Sequence, residues 1–157
     1  MLMSVMFDRI RFVAARLAAR KIAATAALRE APVFDPQLLE QFEAALPRAS
    51  ITRYQALQPV MKEGQAGMYM YIVKSGRVFI HIKDKVLEAV GPGGVFGEMA
   101  LVDQSPRMAS GTADVFSELL TVDRASLMEA VKKQPAFAMA MLRAIADRLR
   151  HMNAQVG

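Results

Sequence analysis

The spacing of apolar positions changes twice along the chain, from helical to alternating and back. Residues 4–29 are rich in alanine and hold neither glycine nor proline, which predicts a helix. Arg9, Arg16 and Arg20 fall on one face of it, and Val5, Phe12 and Ile22 share another. Pro32 breaks this segment. Asp35-Pro36 then reads as an N-cap followed by proline at the first helical position. A second helix is predicted over 36–46, with Leu38, Leu39, Phe42, Ala45 and Leu46 inward, and Pro47 ends it. Short β-prone runs follow at Ile51–Gln55, Pro59–Lys62, Met68–Lys74, Val78–Lys83, Val86–Val90, Ser110–Val115 and Glu118–Val122. Turn signals separate them at Glu63–Gly67, Ser75-Gly76, Asp84-Lys85 and Gly91–Gly94. Between Gly97 and Val102 the composition allows one short helical turn. Helical spacing returns at the end. Asp123 is placed to cap 124–133, with Leu127, Ala130 and Val131 on the apolar face. Pro135 opens a last helix to about 152, with a stripe of Phe137, Met141, Leu142, Ile145 and Leu149. Many short strands at regular spacing predict a sandwich, jelly roll or barrel.

Composition narrows the function classes. The chain is 54% hydrophobic and 22% charged, which is globular rather than disordered. It has no cysteine, so disulfides, zinc–thiolate sites and cysteine nucleophiles are excluded. No uncharged apolar stretch is long enough to span a membrane, and the N-terminus lacks the apolar region of a secretory signal. A cytoplasmic setting is expected. The net charge of +5 is uneven: residues 1–30 carry six bases against Asp8 and Glu30, leaving +1 for the rest. The body therefore has no basic excess pointing to nucleic acid. These features divide the chain into a basic, alanine-rich appendage at 1–31 and one domain at 32–157. The appendage has three candidate roles: packing on the domain or a second copy, touching an anionic membrane, or meeting an effector protein.

Most catalytic chemistry finds no support. His81 and His151 are far apart and lack ligand-spaced partners, so no metal is expected. Neither Ser75-Gly76 nor Ser110-Gly111 forms a nucleophile elbow, and Gly91–Gly94 lacks the lysine of a Walker A loop. The twelve methionines read as core filler. One stretch remains, from Val95 to Ser110. Its parts suit a cyclic nucleotide, which presents a phosphodiester charge, a ribose 2′-hydroxyl and a base. Gly97 would let a ligand approach the main chain closely. The first N–H groups of a helical turn would face the phosphate. Arg107 offers a planar fork to its oxygens, and Glu98 an acceptor for the hydroxyl. Pro106 stiffens the approach to Arg107, and the small residues at 109 and 110 leave room. Taken singly, the same residues also fit a turn and a surface salt bridge.

Phe96-Gly97-Glu98-Met99-Ala100-Leu101, followed by Pro106-Arg107-Met108-Ala109-Ser110, resembles the phosphate-binding cassette of cyclic nucleotide-binding domains. Such domains occur in protein kinase A regulatory subunits, cyclic nucleotide-gated channels and the bacterial catabolite activator. Glu63-Gly64-Gln65-Ala66-Gly67 with Met70 to Val78 is similar to the family's early β-roll, and Gly91-Pro92-Gly93 to the turn before the cassette. The resemblance covers about residues 35–152. It implies an α+β, mainly β, fold: a jelly-roll-like β-roll with a short phosphate-binding helix, flanked by N-terminal helices and two C-terminal helices. It further implies that Glu98 accepts from the 2′-hydroxyl and Arg107 pairs with the phosphate. Backbone groups of Gly97, Met99, Ala100 and Met108 would complete the cradle with help from Ser110. Arg148 would be the lid contact on the last helix, with Arg150 next to it.

Three positions depart from the family pattern. Gly94 stands where an acid is frequent, and this is expected to loosen the turn. Gly111 stands where a branched residue is usual. Met108 stands where cGMP-selective members often carry threonine, which favours cAMP over cGMP as ligand. No cofactor is expected. The reading is a non-enzymatic cAMP sensor whose C-terminal helix responds to ligand. It would be either a stand-alone protein or one domain of a longer one, because no helix-turn-helix, spanning helix or catalytic motif accompanies it. The alternative is a scaffold or oligomerisation module, self-associating through residues 4–29, with a vestigial or differently liganded pocket. A phosphodiesterase-like hydrolase would need metals or a general base that the cassette lacks.

Overall fold

The computed structural model describes residues 33–46, 51–99, 101, 106–143 and 146. The helix expected at 4–29, Ala100, Arg148, Arg150 and the end of the last helix lie outside the described residues. Helix α1 is Pro36–Ala45, strands β1 to β8 follow, and α2 is Arg124–Lys133. Residues 135–143 are helical and are termed α3. Asp35 caps α1 by accepting from Leu38 N at 2.7 Å. Asp123 caps α2 by accepting from Ser126 N at 2.7 Å. Both caps are as the sequence predicts.

The strands are β1 Ile51–Tyr54, β2 Pro59–Met61, β3 Tyr69–Ser75, β4 Val78–Ile82, β5 Lys85–Val90, β6 Val95–Phe96, β7 Ser110–Ala113 and β8 Ser117–Asp123. They form two four-stranded sheets in the orders β1-β8-β3-β6 and β2-β7-β4-β5, with every pairing antiparallel. This is the β-roll architecture. The turn expected at Asp84-Lys85 falls one residue earlier. Ile82 pairs with Lys85, leaving Lys83-Asp84 as the loop, and Lys83 takes φ +51°. β6 has no counterpart among the predicted strands. Two residues beside a glycine turn show no periodicity, and the strand exists because Tyr71 pairs with Phe96 and Ile72 with Val95.

β3 explains how the core is divided. Its run from Met70 to Val73 is buried on both faces, so it reads as continuous apolar sequence rather than an alternation. Met70 and Ile72 face one cluster, with Phe34, Phe42, Leu120, Val122, Ala130 and Phe137. Tyr71 and Val73 face another, with Val78, Ile80, Phe96 and Leu119. The first cluster holds the helices to the β body. Its centre is aromatic: the Phe42 ring lies 5.2 Å from that of Phe34 and 4.9 Å from that of Phe137. On α3, Phe137, Ala140 and Met141 are buried, but Leu142 is 61% exposed, contrary to expectation. Its place five residues after Phe137 turns it away from the face set by 137, 140 and 141.

Two histidine-related points bear on chemistry. His81 is buried in β4, with Nε2 2.8 Å from Thr112 Oγ1 and Nδ1 2.7 Å from Lys83 O. A carbonyl only accepts, so Nδ1 carries a proton there. Among the described residues, no group of three histidine or acidic side chains is placed to hold a metal ion. No helix among them is long and apolar enough to cross a membrane.

Candidate functional site

The cassette is entered through a turn that glycine makes possible. Gly94 N donates to Gly91 O at 2.9 Å, with Pro92 second and Gly93 third at φ +84°. That is the type II pattern, in which the third residue needs positive φ. β3 clamps the turn: Gly93 N donates to Val73 O at 2.8 Å and Val73 N to Gly94 O at 3.0 Å. Gly94, expected to loosen this turn, is instead tightly packed. A Cβ there would meet Val90 Cγ1 at 2.5 Å. The turn thus delivers Val95 and Phe96 to β3 in register.

Gly97 follows at φ +76°. Glu98 is next and is only 1% exposed. Residues 99 and 101 are helical, and Leu101 N donates to Glu98 O at 3.0 Å, so a short turn opens where the sequence allows one. Leu101 is buried in the helix-side cluster with Phe137 and Met141.

Arg107 reaches the same place from the far end of the segment. Its main chain is pinned to the loop between β2 and β3. Arg107 N donates to Gln65 O, and Gly64 N donates to Arg107 O, each at 2.8 Å. Ala66 and Pro106 form an antiparallel bridge beside them. The residue is 9% exposed. Its Nη1 donates to Gly97 O at 3.0 Å, and its Nη2 to Tyr69 O at 2.7 Å. The guanidinium carbon lies 5.7 Å from the centre of the Tyr71 ring, and that ring stacks on Phe96 with centroids 5.1 Å apart. Burial pushes the Tyr71 phenol above its ordinary pKa, and the Arg107 charge partly opposes the rise. Ion pairs among the described residues join Arg53 to Glu118, Lys74 to Glu43 and Arg77 to Asp114, and Arg107 enters none of them. Among the described residues, then, Arg107 makes carbonyl and ring contacts rather than the surface salt bridge allowed by sequence.

The remaining candidate residues are spread around this centre. Met108, next to Arg107, is 72% exposed. Met99 is also exposed. Ala109 packs against the inter-sheet cluster that contains Phe96. Ser110 Oγ accepts from Glu63 N at 3.0 Å, so this hydroxyl holds the β2–β3 loop. At Gly111 a Cβ would press on Met61 Cγ at 3.3 Å and touch Phe96 Cε2 at 3.4 Å. The structure thus brings Gly97 and Arg107 into direct contact, with Glu98 beside them. The carbonyl of Tyr69 and the ring of Tyr71 were not anticipated. A carbonyl has no sequence signature, and Tyr71 is embedded in an apolar strand.

Residues 51–134, just over half of the chain, match the family model described as the cyclic nucleotide-binding domain. The chain is 29% identical over 134 residues to the cyclic AMP receptor protein of Thermus thermophilus, covering 82% of this chain and 62% of the relative. It is 30% identical over 125 residues to a CRP-like cAMP-activated global transcriptional regulator of Mycobacterium tuberculosis, covering 71% and 56%. The crystal structure of the Thermus thermophilus catabolite activator protein superposes with a TM-score of 0.67 at 30% identity, over 80% of this chain and 62% of that one. The chain thus spans between 56% and 62% of the length of these curated relatives. With the roll, the glycine turn and the held arginine described above, these matches identify the chain as a member of the cyclic nucleotide-binding domain family.

Proposed function

We propose that this chain is a non-enzymatic sensor module whose cassette binds cAMP in preference to cGMP. The observation that carries the reading is the state of Arg107. It is a buried cation held by two carbonyl oxygens, with no acid paired to it among the described residues. A buried charge is costly until an opposite charge meets it. Two carbonyls use two of the five guanidinium N–H groups and leave others for phosphate oxygens. Glu98 would take the 2′-hydroxyl. Main-chain groups of Gly97, Met99, Ala100 and Met108 would line the phosphate, and Arg148 would close on the ligand from the last helix. Ser110 would act through the loop it holds. Met108 offers no hydroxyl to a guanine edge, which supports the preference for cAMP. The names of the relatives, a cyclic AMP receptor and a cAMP-activated regulator, support the same ligand. Leu101 shares a cluster with Phe137 and Met141, a route by which ligand at the cassette would move the C-terminal helix. A protein effector, or self-association through residues 4–29, would read that movement.

Calorimetry with cAMP and cGMP side by side tests the reading. Saturable binding of cAMP, tighter than cGMP, is expected. No heat and no thermal shift with either nucleotide at millimolar concentration refutes it. Arg107→Ala should weaken cAMP binding roughly 10- to 100-fold, since a charged hydrogen bond contributes about 1.5–3 kcal/mol. Arg124→Ala, at the exposed start of α2, should leave binding unchanged.

A further inference from the structure

The Arg107 guanidinium is fixed on two sides by carbonyls, but its third support is a ring. Tyr71 projects from β3 into the inter-sheet cluster, stacks on Phe96 and lies under the guanidinium. Phe96 precedes Gly97, whose carbonyl Arg107 holds. Tyr69, whose carbonyl takes the other bond, lies two residues before Tyr71 on the same strand. The aromatic pair is thus joined through the main chain to both anchoring carbonyls, Phe96 next to Gly97 and Tyr71 two residues from Tyr69. A Cβ at Gly97 would meet Arg107 Nη1 at 2.7 Å and Tyr71 Cδ2 at 3.4 Å, so glycine, arginine and ring already fill the corner.

We infer that Tyr71 is a positioning residue: its ring, braced by Phe96, holds the Arg107 guanidinium at the orientation in which it meets an anionic phosphodiester. This rests on the functional reading above and adds to it the residue through which the roll's core sets the arginine. The face of an aromatic ring attracts a guanidinium, most strongly where water is excluded. An arginine lying on a ring and fastened at two N–H groups loses little further freedom when an anion arrives. The raised Tyr71 pKa keeps the phenol neutral at ordinary pH, so the ring offers the arginine no competing charge.

The chain has three tyrosines, Tyr54, Tyr69 and Tyr71, and no tryptophan. Tyr54→Phe with Tyr69→Phe therefore leaves Tyr71 as the sole strong intrinsic emitter, and the Tyr69 carbonyl is kept. The emission of this variant should change saturably with cAMP, at the concentration where calorimetry reports binding. In the otherwise native chain, Tyr71→Leu should weaken cAMP binding about tenfold, the scale of one desolvated cation–ring contact. Tyr71→Phe, which keeps the ring, should stay within about threefold of the native protein. In an Arg107→Ala background, Tyr71→Leu should cause no further loss.

Equal cAMP affinity for Tyr71→Leu and native protein overturns the inference, as does an undiminished effect without Arg107. Should Tyr71→Leu fail to fold, the single-tyrosine variant decides, and emission unchanged at saturating cAMP overturns it. Native protein that binds neither nucleotide overturns instead the functional reading beneath it.

Discussion

Replacing Gly97 by alanine probes the point where the cassette's backbone meets Arg107. The residue sits at φ +76°, where a side chain costs an L-residue about 1–2 kcal/mol. The added methyl would also stand 2.7 Å from Arg107 Nη1 and 3.3 Å from Tyr69 O. The carbonyl is part of a paired strand, so the guanidinium is what moves. Moving it breaks the 3.0 Å bond to Gly97 O, a charged hydrogen bond contributing about 1.5–3 kcal/mol. The two effects together predict a loss of about 2.5–5 kcal/mol. At about 3 °C per kcal/mol for a domain of this size, the melting temperature should fall by about 8–15 °C. Thermal denaturation followed by circular dichroism measures this, and a double-mutant cycle separates the parts. With Arg107→Ala already present, Gly97→Ala should cost only the backbone share, about 1–2 kcal/mol. An equal cost in both backgrounds would show that the contact with Arg107 is not what glycine serves. An unshifted melting temperature would refute the geometry altogether.

Other substitutions test the frame around the site. At Gly76, φ is +94° and a Cβ would lie 2.6 Å from Phe116 O and against the Ser117 side chain. Gly76→Ala should therefore cost about 3 kcal/mol or more in a denaturant titration, since backbone cannot yield as a side chain can. Asp114 is fully buried and paired with Arg77 through Nε at 2.9 Å. Asp114→Ala should destabilise by about 3 kcal/mol, because it strips a partly buried arginine of its partner. Asp123→Ala should cost about 1 kcal/mol through loss of the α2 cap. The bond from Ser126 N holds the Asp123 carboxyl below its ordinary pKa. A depressed folded-state value means that this contribution is present above the unfolded value, near about 3.9, and is lost as pH falls through the folded one. The difference in melting temperature between native and Asp123→Ala proteins should therefore narrow in acid as the charged share of the cap is lost; a difference constant with pH would refute that share.

Much of this arrangement is legible in the residues themselves. Helix starts at Asp35-Pro36 and Asp123 are local chemistry, and the structure has them where the sequence places them. Strands with their own alternation or apolar run are found within a residue or two. What escapes is whatever depends on a distant partner. β6 is a strand only because β3 is next to it. Ser110 reads as a small residue beside the cassette, yet its hydroxyl is taken by Glu63 N, 47 positions earlier. Leu142 fits the apolar stripe by type but not by angle. In the cassette, Gly97, Glu98 and Arg107 stand out because their chemistry is rare in an apolar segment. The groups that touch the Arg107 guanidinium do not stand out, since two are backbone oxygens and the third is an aromatic ring among strand residues.

The two-sided burial of β3 has a consequence for how this domain can change over evolutionary time. Odd and even positions of the strand answer to different neighbours, Tyr71 to the arginine and Met70 with Ile72 to the helices. A one-residue insertion ahead of Met70 would exchange the two sets at a stroke. The ring would leave the guanidinium and enter the helix interface, while a methionine took its place beside Arg107. The loop ahead of β3 can vary in length only where the strand's phase is restored before Tyr69. Homologous chains should therefore vary in length at the Lys83-Asp84 hairpin and hold a constant count from Gly64 to Gly76.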